Sequence, residues 1–143
     1  MRAIRKWVAL GSARRRLLGE AAVAVLFVRL ARTCLTFKAL GRAAEWFGAR
    51  LPSRVRSRED IAWAVGAVSR RLSWAASCLD QALAARTLLA ASGQRCDLQL
   101  GVRRSAAGQF EAHAWLELDG RVLVGGGESG SFVPLTAAER VPS

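Results

Sequence analysis

Histidine occurs once in these 143 residues, at position 113, and cysteine three times, at positions 34, 78 and 96. The cysteines are odd in number and form no CxxC pair, which excludes a disulfide framework and fits a reducing compartment; a cytoplasmic location is expected. Three separated cysteines and one histidine also lack the paired spacing of a zinc site, so no metal is expected. Acidic side chains number 11 against 22 basic ones, a net charge of +11. Such a surface attracts anionic partners without choosing among them. Aromatic residues make up only 7% of the chain, and the arginines lie in helical stretches without a stacking motif, so no nucleic-acid partner is expected. No apolar run is long. The most hydrophobic, residues 21–28, is closed by Glu20 and Arg29 and is too short to span a bilayer. Arg2, Arg5 and Lys6 precede a short apolar patch that lacks the features of an export signal, though this basic stretch suits peripheral contact with a membrane surface. Gly125-Gly126-Gly127 lacks the Lys-Ser/Thr of a phosphate-binding loop, and no cofactor is expected. There are no internal repeats.

Apolar residues are plentiful, at 52%, and their order is informative. Residues 1–16 are basic and weakly patterned, as in a solvated helix face or a frayed arm. From Leu17 to about Phe37 strong helix formers dominate, with Leu18, Ala22, Val25 and Val28 at helical spacing. A second helix is predicted from Lys38 to Ala49, with Leu40, Ala43, Ala44 and Phe47 on one face and Pro52 beyond its end. Ser57-Arg58-Glu59-Asp60 reads as a capped helix start, and Ile61, Val65, Val68 and Leu72 continue one face. These helices carry no nucleophile–base pair and read as packing elements, with a partner-docking surface as the alternative.

The pattern changes after Ser73. Ser77 can cap a helix whose first turn holds Cys78; Leu79, Ala82, Leu83, Leu88 and Leu89 make it apolar nearly all round, and Gly93 ends it. Cys96, Leu98, Leu100 and Val102 then alternate as in a half-buried strand. A second strand, Phe110 to Leu118, places Phe110, Ala112, Ala114, Leu116 and Leu118 on one side and Glu111, His113, Trp115 and Glu117 on the other. Asp119-Gly120 is a hairpin signal, with residues 121–124 as the returning strand. Phe132 and Leu135 are expected as the last core contacts. Helices followed by at least three antiparallel strands make an α+β fold, with a helical region over 1–75 and a core over 76–143.

A thiol at a helix N-terminus is favoured as thiolate, and an imidazole nearby can take its proton. Cys78 and His113 are therefore the candidate catalytic pair, and the Cys78 N–H, unpaired at the helix start, is a candidate oxyanion donor. The competing reading makes Cys78 a small buried residue and His113 incidental. Cys96, alternating with Leu98 and Leu100, reads as core; Cys34, inside an apolar helix, reads as inert.

SCLDQALAARTLLAASG, then LQLGV, then FEAHAWLELDG and VLVGGGE resemble the transglutaminase-like cysteine proteases that remove leader peptides in lasso-peptide biosynthesis. The resemblance covers about the whole chain and is most specific in Cys78-Leu79 with Gln81-Ala82-Leu83-Ala84, and in Ala112-His113-Ala114-Trp115 with Asp119-Gly120. It implies a transglutaminase/papain-like core of one buried helix on a small antiparallel sheet, with Cys78 as nucleophile and His113 as base. It also implies a precursor leader peptide as substrate, a separate small leader-recognition protein and a macrolactam-forming cyclase as partners. The wider family orients its histidine with an Asp after the hairpin; here that region is Val124-Gly125-Gly126-Gly127-Glu128. Asp119 lies six residues from His113, roughly 20 Å along a strand at 3.3 Å per residue, too far for a hydrogen bond. Glu128, on the return side, is the candidate third member; a backbone carbonyl, a water or a residue from elsewhere are the alternatives. Two further readings stay open: another transglutaminase-like acyl transferase, and a non-catalytic basic scaffold that binds an acidic peptide or a membrane.

Overall fold

A computed structural model describes residues 11–52, 55–72, 77–127 and 129–135. Four helices precede a four-stranded antiparallel sheet, the α+β architecture expected. Helix α1 (Ser12–Cys34) starts five residues earlier than the apolar spacing alone suggests and takes in Arg14-Arg15-Arg16. It buries Leu17, Ala21, Ala24, Val25 and Val28, a stripe at three- and four-residue steps. Helix α2 (Phe37–Gly48) buries Leu40, Ala44 and Gly48. A Cβ on Gly48 would stand 2.6 Å from the Thr87 carbonyl oxygen, so glycine permits α2 to approach the central helix. Helix α3 (Arg58–Arg71) is capped by Ser57, whose Oγ accepts from the Asp60 N–H at 3.1 Å, and it buries Ile61, Val65 and Val68.

Helix α4 (Cys78–Ala91) is the centre of the fold. Leu83, Leu88 and Leu89 are fully buried within it, each contributing about 1.5–3 kcal/mol relative to exposure. The chain leaves it through Gly93, whose φ of +72° is the left-handed conformation that glycine adopts without strain. α1, α2 and α3 pack around it, and on its sheet side α4 rests mainly against the second strand.

The strands are β1 (Asp97–Arg104), β2 (Phe110–Leu118), β3 (Arg121–Val124) and β4 (Val133–Pro134), in spatial order β3-β2-β1-β4. In β1–β2 the register sets Leu98 opposite Leu116 and Leu100 opposite Ala114 on one face, and Gly101 opposite His113 and Arg103 opposite Glu111 on the other. Ala114 and Leu116, with Val124 of β3, join one hydrophobic cluster with Leu17, Val25, Ile61, Val65, Leu88 and Leu89. A bulge at Leu116/Glu117 interrupts β2–β3. Among the described residues, no helix is long and apolar enough to cross a membrane.

Three details depart from the sequence expectation. Phe110 starts the apolar face of β2 but is exposed at the sheet's end, where the Arg104 guanidinium lies 4.9 Å from its ring centroid. Trp115, on the alternate face, is buried, because the segment after β3 folds back over that face and lays Phe132 beside it. Leu135 is half exposed rather than core; its N–H donates to the Leu100 carbonyl at 2.7 Å, extending the short β1–β4 pairing. Residues 1–10, within the basic N-terminal stretch, lie outside the described residues.

Candidate functional site

Cys78 is the first residue of α4 and Ser77 its N-cap. Ser77 Oγ accepts from the Asp80 N–H at 3.3 Å, and the Asp80 carboxylate accepts from the Ser77 N–H at 2.9 Å, a reciprocal capping box. The first helical bond runs from the Gln81 N–H to the Ser77 carbonyl. Among the described residues this leaves the Cys78 and Leu79 amides as the unbonded donors of the first turn. The Cys78 side chain is half buried, packed against the hydrophobic cluster.

The other two thiols have different surroundings. Cys34 is exposed at the end of α1, 3.4 Å from Thr33 Oγ1. Cys96 packs against the core just before β1, and burial pushes its pKa up to about 11, against a smaller opposing pull from Arg86. A neutral thiol packed on the core is not a nucleophile.

His113 lies mid-strand in β2, on the face away from Ala114 and Leu116. Its ring is held on three sides. Phe132 stands 5.0 Å away between centroids and Trp115 6.1 Å, while Nε2 lies 2.8 Å from the Gly125 carbonyl oxygen. A carbonyl only accepts, so Nε2 carries the hydrogen, and in the neutral ring Nδ1 keeps the bare lone pair that can take a proton. Two glycines build this nest. A Cβ at Gly101, opposite His113, would meet the Trp115 ring at 2.8 Å and Phe132 Cβ at 2.9 Å. Gly125 has φ +81°, and a Cβ there would meet the Ala114 carbonyl oxygen at 2.8 Å. The covering segment is pinned by Arg103, which donates to Glu111 Oε2 at 2.6 Å and to Ser131 Oγ at 2.8 Å and lies 4.5 Å from the Phe132 ring centroid. Trp115 Nε1 donates to Glu117 Oε1 at 2.9 Å.

α4, with Cys78 at its start, packs against the Ala114 and Leu116 face of β2, whereas His113 projects from the opposite face, beneath Phe132. Among the described residues no hydrogen bond joins the thiol to the imidazole; the one hydrogen bond of the His113 ring runs to Gly125. Asp119 sits at the hairpin tip with φ +51°, its carboxylate 3.0 Å from an Arg58 guanidinium nitrogen. Glu128, the expected third member, lies outside the described residues.

Asp80 is the site residue that sequence reading missed. Its side chain is fully buried, with Arg32 Nε 3.2 Å from Oδ1 and an Arg29 guanidinium nitrogen 3.9 Å from Oδ2. The Ser-x-x-Asp spacing of Ser77 and Asp80 signals the capping box; nothing in the sequence brings Arg29 and Arg32 from fifty residues away.

A thiol at a helix start beside free amide donors, and an imidazole fixed in one tautomer on the strand that this helix packs against, are the components of acyl transfer through a thioester. Residues 17–137 match the Transglutaminase-like superfamily, and the chain belongs to that family. The superfamily commonly includes cysteine proteases and acyltransferases. Neither a curated protein nor a solved structure matches the chain.

Proposed function

We propose that this chain is a cysteine peptidase that removes the leader from a ribosomally made lasso-peptide precursor. Cys78 is its nucleophile and His113 its general base and acid. The observation that supports the reading is the family match over residues 17–137, joined by a thiol at the start of the central helix and an imidazole whose Nε2 is held by Gly125.

In the mechanism, Cys78 gives its proton to His113 Nδ1 as the sulfur attacks the scissile carbonyl carbon, a step that needs the thiol and the ring, unbonded to each other in this structure, to come within hydrogen-bond reach. The developing oxyanion takes a hydrogen bond from the Cys78 N–H. The imidazolium then protonates the departing amine, which leaves as the new N-terminus of the core peptide, and the leader stays on Cys78 as a thioester. Water, deprotonated by His113, attacks the thioester, and the leader departs with a free carboxylate. The Gly125 carbonyl holds the ring in one tautomer throughout. Glu128, three residues on in the sequence, is the third member in this proposal.

Residues 76–143 supply the chemistry in this reading, and residues 1–75 supply packing helices and a basic docking surface. The partners are a small leader-recognition protein and the macrolactam-forming cyclase that consumes the released core, all in the cytoplasm; the basic surface also suits peripheral membrane contact. The test is leader release, followed by mass, when the purified chain meets precursor peptide and recognition protein. His113→Ala abolishes release; a variant that retained more than about a hundredth of the rate would remove His113 from the mechanism, since a general base contributes roughly 10²–10⁴-fold.

A further inference from the structure

The central helix carries a buried charge that its cap does not require. Helix α3 opens with the same Ser-x-x-Asp spacing, Ser57 to Asp60, and there the carboxylate stays in solvent, 44% exposed and 3.5 Å from Arg14. In α4 the equivalent Asp80 is fully excluded from water. Its Oδ2 accepts from the Ser77 N–H at 2.9 Å. Among the described residues its Oδ1 accepts no hydrogen bond; Arg32 Nε approaches to 3.2 Å off the bonding direction, so that oxygen is balanced by charge. Burying a carboxylate is costly unless a cation compensates it, and both compensating cations come from α1.

We propose that Asp80, Arg29 and Arg32 are positioning residues for the Cys78 thiol: they lock the first turn of α4 onto α1, and the two guanidiniums cancel a buried negative charge that would otherwise oppose thiolate formation beside it. This rests on Cys78 being the nucleophile. Side chains two apart on a helix do not face each other, so Asp80 does not touch the thiol; its influence runs through the shared helix start and through space, at low dielectric. The charged groups on the other packed elements are engaged elsewhere or stand at a distance. Glu45 of α2 is paired with Arg86, two turns further along α4. On α3, Asp60 is paired with Arg14. On β2, Glu111 is taken by Arg103 and Glu117 accepts from Trp115, and His113 is the proton acceptor of the mechanism.

The clamp is tested on the thiol itself, without substrate. The folded full-length chain is alkylated with iodoacetamide between about pH 6 and 10, around the ordinary thiol range, and adduct at Cys78 is read by peptide mass. Exposed Cys34 serves as an internal standard. Arg32→Gln, at a side chain 41% exposed, is expected to move the Cys78 profile to higher pH by about one unit. That leaves roughly tenfold less thiolate at neutral pH but an alkylation rate only about threefold lower, because a more basic thiolate is the better nucleophile. Arg32→Lys keeps the wild-type profile. Asp80→Asn combined with Arg32→Gln restores it, since the uncompensated charge is gone; the cycle separates charge from packing. Should Arg32→Gln lower the melting temperature yet leave the profile on that of the wild type, or should Arg32→Lys shift it equally, the proposal is overturned. A chain that alkylates as described but releases no leader would fail the functional reading while the clamp stands.

Discussion

Replacing Gly125 by alanine tests how the site is built. The residue has φ +81°, where an L side chain costs about 1–2 kcal/mol. The new Cβ would lie 2.8 Å from the Ala114 carbonyl oxygen and 3.1 Å from Trp115 Cβ. The first of these contacts is backbone and cannot rotate aside, so β3 must move off β2, adding roughly 1–3 kcal/mol as overpacking does elsewhere. The total is about 2–5 kcal/mol, or about 6–15 °C in melting temperature for a chain of this size. The movement also withdraws the carbonyl that fixes His113 Nε2. Leader cleavage, assayed well below the melting point, falls by about 10- to 100-fold, the usual effect of losing a group that orients a functional histidine. Two controls isolate the terms. Gly127→Ala has nothing within 4 Å of its Cβ and should be silent. Gly108→Ala has φ +80° and open space, so it shows the backbone cost alone, with activity unchanged. Calorimetry and the cleavage assay on the three variants decide the matter. A Gly125→Ala protein as stable and as active as Gly127→Ala would refute the account of the His113 nest.

Other consequences follow from single features. Ser77→Ala removes the cap of α4 and is expected to cost about 1 kcal/mol by denaturant titration. Cys96 holds its proton to about pH 11 in the fold against 9.0 unperturbed; the unfolded chain therefore loses this proton first as pH rises, and stability falls between about pH 9 and 11 by up to roughly 2 kcal/mol. Cys96→Ala should flatten that part of the stability profile; an unchanged slope would show that the core does not hold the thiol neutral. Asp119→Asn loses an exposed pairing with Arg58, worth at most about 1 kcal/mol, and leaves leader cleavage unaltered. Glu128→Gln slows cleavage by less than about tenfold, because the Gly125 carbonyl already holds Nε2; a loss equal to that of His113→Ala would make Glu128 the dominant orienting group.

Much of this fold is written locally. The capped starts at Ser57 and Ser77, the stop at Gly93 and the hairpin at Asp119-Gly120 depend on residues next to one another, and each is found in place. Alternation in β2 correctly set Ala114 and Leu116 toward the helices. It could not show that Trp115 and His113 are roofed, because the roof comes from Phe132, which follows a run of small residues with no periodicity. β4, two residues long, carries no pattern at all. The orientation of His113 depends on a backbone carbonyl, which every residue has and no side chain advertises; the clue was Gly125, whose left-handed φ sets that carbonyl under β2. Asp80 illustrates the same limit from the other direction. Its cap is local and legible, whereas its neutralisation depends on how α1 packs.

The most direct measurement is leader release by the wild-type chain and by Cys78→Ala, each with precursor peptide and recognition protein, followed by intact mass. Released leader and core are expected with the wild type and none with Cys78→Ala, whose fold is intact by circular dichroism. Release at an undiminished rate from Cys78→Ala would contradict the role of Cys78 as nucleophile.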